Sequence, residues 1–264
     1  MLDRKVIQNC ALKKKRHWLQ QLMEFARPGT ILECGCGSGF VCDILSSHFP
    51  HSYLIGIDKS FHRLLTLKQK TIPHTFPVQA NIRHLPLTMG SCDTVFFVSS
   101  LHEVFSLYGT PGVYDVLGTV HSLLKNEGRL IIQDFLRPPP RQVTVEFKEP
   151  SARTRFIRFA TEFRVRPILY EESSGGVKVD IGDALEFFSK YDSPCEEDWQ
   201  EEMNESHYFN TQEAYEQMAT DCSYTVTHLS LVPAAEELFT SLSRDMHWDF
   251  SLAHQYIQLV LIPR

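Results

Sequence analysis

Ile31-Leu32-Glu33-Cys34-Gly35-Cys36-Gly37-Ser38-Gly39 decides how this 264-residue chain is read. A short apolar run ends at an acid, three glycines alternate, and a helical pattern opens at Phe40. Glycines at such a turn let the backbone bend sharply and let a ligand approach where a Cβ would stand. The helix that follows offers free amides and the positive end of its dipole.

Outward from this turn, short apolar runs alternate with helical stretches. Strands are predicted over Thr30–Cys34, Tyr53–Ile57, Pro77–Ala80, Thr94–Val98 and Arg129–Phe135. Helices are predicted over Val6–Phe25, Phe40–His48, Ser60–Lys68 and Tyr114–Leu124. After Arg137-Pro138-Pro139-Pro140 the rhythm breaks. A hairpin is predicted within Ile168–Ile181, around Ser173-Ser174-Gly175-Gly176. The alternation resumes with a helix at Thr211–Thr220, a strand at Tyr224–Leu231, a helix at Ala234–Ser243 and a strand at Tyr256–Ile262. Continuous apolar strands between helices mean a parallel sheet covered on both faces. The expected fold is α/β, a doubly wound, mostly parallel seven-stranded sheet with a cap inserted after strand five. The expected division is 1–136 as the binding core, 137–208 as the cap and 209–264 as the completion of the sheet.

Composition is that of an ordinary globular protein, with 43% hydrophobic and 22% charged residues. A net charge of −6 argues against a broad basic surface for nucleic acid. The N-terminus lacks the apolar core of a secretion signal, and no run is long enough for a membrane helix. Seven scattered cysteines fit a reduced, cytoplasmic protein. Cys34, Cys36 and Cys42 lack paired zinc-ligand spacing, so no metal is expected from them.

Gly56-Ile57-Asp58 closes the second strand. An acid at that place in a βαβ unit accepts hydrogen bonds from the two hydroxyls of a ribose, so the turn binds a nucleoside. Two ligands compete, a dinucleotide and S-adenosylmethionine. The dinucleotide fingerprint spaces its glycines G-x-G-x-x-G, whereas Phe40 stands where its last glycine belongs. Glu33, just before the turn, would repel a pyrophosphate and attract the ammonium of a methionine moiety. Ala80-Asn81-Ile82-Arg83-His84-Leu85-Pro86-Leu87 precedes the strand Asp93–Val98.

With these residues the chain resembles the class I S-adenosylmethionine-dependent methyltransferases that carry an E/D-x-G-x-G-x-G turn. The match runs in order through Glu33–Gly39, Gly56–Ser60, Ala80–Pro86, Ser100–Val104 and Leu123–Leu130. It is strong over about 30–135 and weaker over about 210–262. The resemblance implies that Glu33, Gly35 and Gly37, with Cys36 and Gly39 in the same turn, hold the methionine end. It places Asp58 and Lys59 at the ribose, Asn81 and Ile82 at the adenine, and Ser99 near the sulfonium. Asn81 stands where the family usually has Asp; its amide oxygen can still accept from the adenine amino group.

Methyl transfer is an in-line displacement from a good leaving group, so positioning does much of the work. His102, Glu103 and Tyr108 follow strand four at the carboxyl edge of the sheet, where open α/β sheets bind ligands. They are the candidate catalytic residues, with His102 as a base. Asp134 leaves the same edge, and His207 and Tyr208 stand where the cap returns. The large cap and acidic balance point to a small-molecule acceptor. The run Arg153, Arg155, Arg158, Arg164 and Arg166, with Lys13-Lys14-Lys15-Arg16, motivates the alternative of RNA or protein. A third reading is a partner subunit that binds the cofactor without catalysis.

Overall fold

The structure, a computed structural model, describes residues 16–233, 240–252 and 255–264. Of the predicted first helix, residues 16–23 form α1, and the rest lies outside the described residues or unwinds before Arg27. The predicted helix at Ala234–Ser243 likewise falls mostly outside them.

Seven strands form one sheet: β1 (Thr30–Cys34), β2 (Tyr53–Asp58), β3 (Thr75–Gln79), β4 (Cys92–Val98), β5 (Leu124–Phe135), β9 (Tyr224–Val232) and β11 (Tyr256–Pro263). Their spatial order is β3-β2-β1-β4-β5-β11-β9. The pairs among β1 to β5 are parallel, while β11 runs antiparallel to both β5 and β9. The doubly wound fold expected from the sequence is the one observed. β1, β4 and β5 carry apolar side chains to both faces. One face packs on α4 (Leu101–Leu123) and α8 (Gln212–Asp221) through Val116, Leu117, Val120 and Tyr215. The other packs on α1 and α2 (Phe40–His48) through Leu19, Leu22, Ile44 and Leu45. α3 (Phe61–Gln69) closes the edge beside β2 and β3, its first turn capped by the Ser60 hydroxyl.

α4 is longer than the sequence pattern suggested. It opens at Leu101 and contains a break at Gly109, with φ 64° and ψ −170°, followed by Pro111. Glycine and proline mask the periodicity there, yet the chain turns helical again at once. The first segment, Leu101 to Tyr108, carries the residues of interest at the carboxyl edge of the sheet.

The remaining residues build a second unit with its own core. β6 (Gln142–Phe147), β7 (Tyr170–Ser173), β8 (Gly176–Asp180) and β10 (Met246–Trp248) form an antiparallel sheet in the order β10-β6-β8-β7. α5 (Pro150–Glu162), α6 (Ile181–Lys190), α7 (Glu196–Glu202) and α9 (Thr240–Asp245) accompany it. Phe156, Phe159, Phe187, Trp199 and Met246 are buried at its centre. Sequence reasoning assigned everything after residue 208 to the large sheet. The structure instead sends β10 to β6, because Met246 completes the apolar core of the smaller sheet.

Candidate active site

The turn after β1 is tied to β2. The amides of Gly35 and Cys36 both donate to the Ile57 carbonyl, at 2.8 and 2.9 Å. The Gly37 amide donates to Asp58 Oδ2 at 2.8 Å, and the Ser60 amide to Asp58 Oδ1 at 2.7 Å. Each carboxylate oxygen is therefore aimed by one backbone donor and keeps a further lone pair. Gly35 has φ +77°, and a Cβ there would lie 2.6 Å from the Cβ of Ser100. A Cβ on Gly37 would meet no atom within 4 Å, so this glycine faces open space.

Beside this turn lies a cleft of about 520 Å³, its open mouth included. Of the residues predicted from the sequence, Gly35, Asp58, Lys59, Asn81, Ile82, Glu103 and Tyr108 line it. Glu33, Cys36, Gly37, Gly39 and Ser99 do not stand on its wall. Glu33 is only 3% exposed and accepts the Cys42 thiol proton at 2.8 Å beneath the turn. Cys36 is buried against Cys42, Leu64 and Leu67. Gly39 precedes α2 in a left-handed conformation and abuts Leu67. Ser99 has φ +53°, and its amide donates to the Gln133 carbonyl. This left-handed residue turns the chain so that Ser100 lines the cleft, with its hydroxyl donating to the Cys34 carbonyl at 2.7 Å. Ser100 is the wall residue that sequence reasoning missed by one position.

Tyr108 lies beside Asn81 rather than at the far end of the cleft. Its hydroxyl accepts from Asn81 Nδ2 at 3.1 Å, and the Arg83 guanidinium sits over its ring at 4.7 Å. Asn81 Oδ1 accepts from the Arg83 amide.

His102 is buried, and its Nδ1 is 2.7 Å from Asp134 Oδ1. Asp134 Oδ2 accepts the Leu101 and His102 amides, so a strand-borne carboxylate caps the start of α4. Burial opposes a charge on His102, but Asp134 outweighs it and raises the imidazole above its ordinary range. Against His102 stands His207, with ring centroids 4.9 Å apart. Burial, with Lys190 and His102 adding to it, holds His207 well below the ordinary range. Its Nδ1 meets Ser189 Oγ at 2.9 Å, and its ring stacks on Phe135. The segment bearing His207 is clamped by Glu186 of α6. Glu186 Oε1 accepts from Lys190 Nζ and the His207 amide, and Oε2 accepts from the Ser206 hydroxyl and the Tyr208 amide.

A second cleft opens between the core and the smaller unit. Arg63 and Glu103 border it from the core; Asp192, Asp198, Glu201, Glu202 and Glu205 border it from the unit above. Glu103 belongs to both clefts. Its carboxylate is 3.4 Å from Lys59 Nζ. Burial, and then the Glu103 charge, push the Glu205 carboxyl up.

The arginine run that suggested a polymeric acceptor is used up inside the smaller unit. Arg153 pairs with Glu172, Arg158 with Glu162 and Glu196, and Arg166 with Asp183. Arg164 bonds Gln200 and Asn204, and Arg155 lies over Trp199 and donates to the Ser193 carbonyl. Of the lysine-arginine run, Arg16 pairs with Asp43, and Lys13 to Lys15 lie outside the described residues. Among the described residues no helix is long and apolar enough to cross a membrane. Cys34, Cys36 and Cys42 do not gather as a metal site. Among the described residues the cluster that could hold an ion is His102, Glu205 and His207.

Comparison with known proteins agrees with this architecture. Residues 32–132 match the model of the methyltransferase domain family. No curated protein matches the sequence. Among solved structures, an S-adenosylmethionine-dependent methyltransferase from Mesorhizobium loti is similar over 95% of this chain and 99% of its own, with 16% identity and a TM-score of 0.58. The 1,6-didemethyltoxoflavin-N1-methyltransferase of Burkholderia thailandensis is similar over 96% and 78%, with 13% identity and a TM-score of 0.54. The geranyl diphosphate C-methyltransferase of Streptomyces coelicolor is similar over 96% and 79%, with 13% identity and a TM-score of 0.56. The family match over residues 32–132 and the strand order give the core the fold shared by these solved S-adenosylmethionine-dependent methyltransferases.

Proposed function

We propose that this methyltransferase acts on a small molecule held in the cleft between its core and its smaller unit. The observation that carries this reading is Glu103, which borders the cofactor cleft on one side and the acidic cleft on the other. A methyl donor and an acceptor bound in the two clefts meet at this residue. Three of the five arginines, Arg153, Arg158 and Arg166, are paired with carboxylates, which weakens the argument for RNA. The two small-molecule methyltransferases of similar fold lend further support, as analogy only.

The residues around the first cleft fit S-adenosylmethionine. Asp58, aimed by two backbone amides, offers lone pairs to the ribose hydroxyls. Asn81, Ile82 and Tyr108 would flank the adenine. The open face at Gly37 would admit the methionine part, and Glu33 would lend negative potential from beneath the turn. When bound, the cofactor supplies a methyl group on a sulfonium. The protein's part is to fix the acceptor atom in line with that methyl, and such alignment is worth on the order of 7–11 kcal/mol. Glu103 would orient an acceptor N–H or O–H and take up its proton. His102, with Nδ1 held by Asp134, fixes the wall behind it.

The test is transfer of a labelled methyl group. The enzyme, supplied with methyl-tritiated S-adenosylmethionine and a cell extract separated by size, should label the small-molecule fraction. Label confined to RNA or protein would overturn the reading.

A further inference from the structure

His102, Glu205 and His207 each bring one ligand-capable atom within 4.8 Å of the others. His102 comes from the first turn of α4 in the core. Glu205 and His207 come from the segment after α7, so the cluster spans the seam between the two units. The ring nitrogens are already sorted. His102 commits Nδ1 to Asp134, and His207 commits Nδ1 to Ser189 Oγ. Each ring thus keeps Nε2 for another partner. Metal-binding histidines are held in this manner, with the outer nitrogen on a carboxylate or other oxygen that fixes ring and tautomer.

A fourth group points at the same place. Glu202 Oε2 is buried and makes no hydrogen bond. It lies 3.5 Å from His207 Nε2 and 3.4 Å from Lys190 Nζ, whose own hydrogen bond goes to Glu186 at 2.7 Å. Lys190 is the cation that meets this oxygen in the structure, and the oxygen's lone pairs leave room for a second.

We propose that His102, His207 and Glu205 bind a divalent transition-metal ion of the zinc type, with Glu202 beside it. Two imidazoles and a carboxylate suit zinc, and three protein ligands leave one position open. Glu202 and Glu205 also border the acidic cleft, so that position faces it. An oxygen of the acceptor would occupy it. This last role rests on the reading of the cleft proposed above; ion binding itself does not.

The full chain, stripped of metal by a chelator and dialysed, is titrated with Zn²⁺ against a chromophoric chelator and with Co²⁺ by visible absorption. One equivalent of Zn²⁺ should bind. Co²⁺ should give visible ligand-field bands without the near-ultraviolet band of thiolate ligation. Glu205→Gln and His207→Ala should each weaken Zn²⁺ by at least the roughly 10–100-fold lost when an outer partner is removed. His228→Ala, on β9 and stacked on Phe25, should change nothing. Circular dichroism guards against unfolded variants, and Glu205→Gln is the milder of the two. Absence of stoichiometric binding, a thiolate band, or binding that survives both substitutions overturns the site. Calorimetry with S-adenosylhomocysteine on the same preparations reports the cofactor cleft separately. Its failure would undo that cleft's reading and leave the ion site standing.

Discussion

Glu186 and Lys190 face each other at 2.7 Å, one turn apart in α6, with both side chains fully buried. The pair joins the smaller unit to the segment 206–208, because the remaining lone pairs of Glu186 hold that segment's donors. Burial works against the Glu186 charge, but Lys190 outweighs it and keeps the carboxyl below its ordinary range.

Glu186→Ala should therefore destabilise the protein by about 3–5 kcal/mol, since buried Lys190 keeps only its 3.4 Å contact with Glu202 and the segment 206–208 loses its acceptor. Urea denaturation followed by circular dichroism measures it. A loss below about 1 kcal/mol, the worth of an exposed pair, would contradict the clamp.

Asp58→Ala should weaken S-adenosylhomocysteine binding. Two ribose hydroxyls would lose a charged acceptor worth roughly 1.5–3 kcal/mol per bond. The variant also frees the Gly37 and Ser60 amides that position the turn. Unchanged affinity in calorimetry would remove Asp58 from the ribose site.

Gly35→Ala meets two obstacles. The backbone is left-handed at φ +77°, and the new Cβ would fall 2.6 Å from Ser100 Cβ. The conformational part alone costs roughly 1–2 kcal/mol. Thermal melting should shift down, and cofactor binding should suffer because Ser100 must move off the wall. A variant as stable as the parent would mean that the turn is shaped differently.

The acid limb of stability should respond to Glu162→Gln. Hydrogen bonding to Arg158 holds Glu162 below its ordinary 4.5, against burial and aided by Trp199. A depressed carboxyl stabilises the fold above its unfolded pKa, and that contribution fades as pH falls through the folded value. With both partners about a third exposed, the difference at pH 7 should stay within about 1 kcal/mol. Denaturation midpoints of parent and variant should begin to converge below about pH 4, near the unfolded carboxyl value, and meet once the pH is below the depressed folded value. A gap that widens on acidification would reverse the assignment.

What the sequence determined by itself was local or periodic. The glycine turn at Gly35–Gly39, the acid at Asp58 and the strand–helix alternation lie within short stretches, and backbone geometry alone gives them meaning. The seven strands of the large sheet followed from them, while Ser100 rather than Ser99 lines the first cleft because a single left-handed residue is invisible in a pattern. Tertiary structure decided the rest, because side-chain partners far apart in the chain set charge and access. Arg158 looked like part of a basic face until Glu196 met it, and Met246 was assigned to the wrong sheet until β6 claimed it. His102 and His207 come from different units, and only folding across the seam brings their rings together.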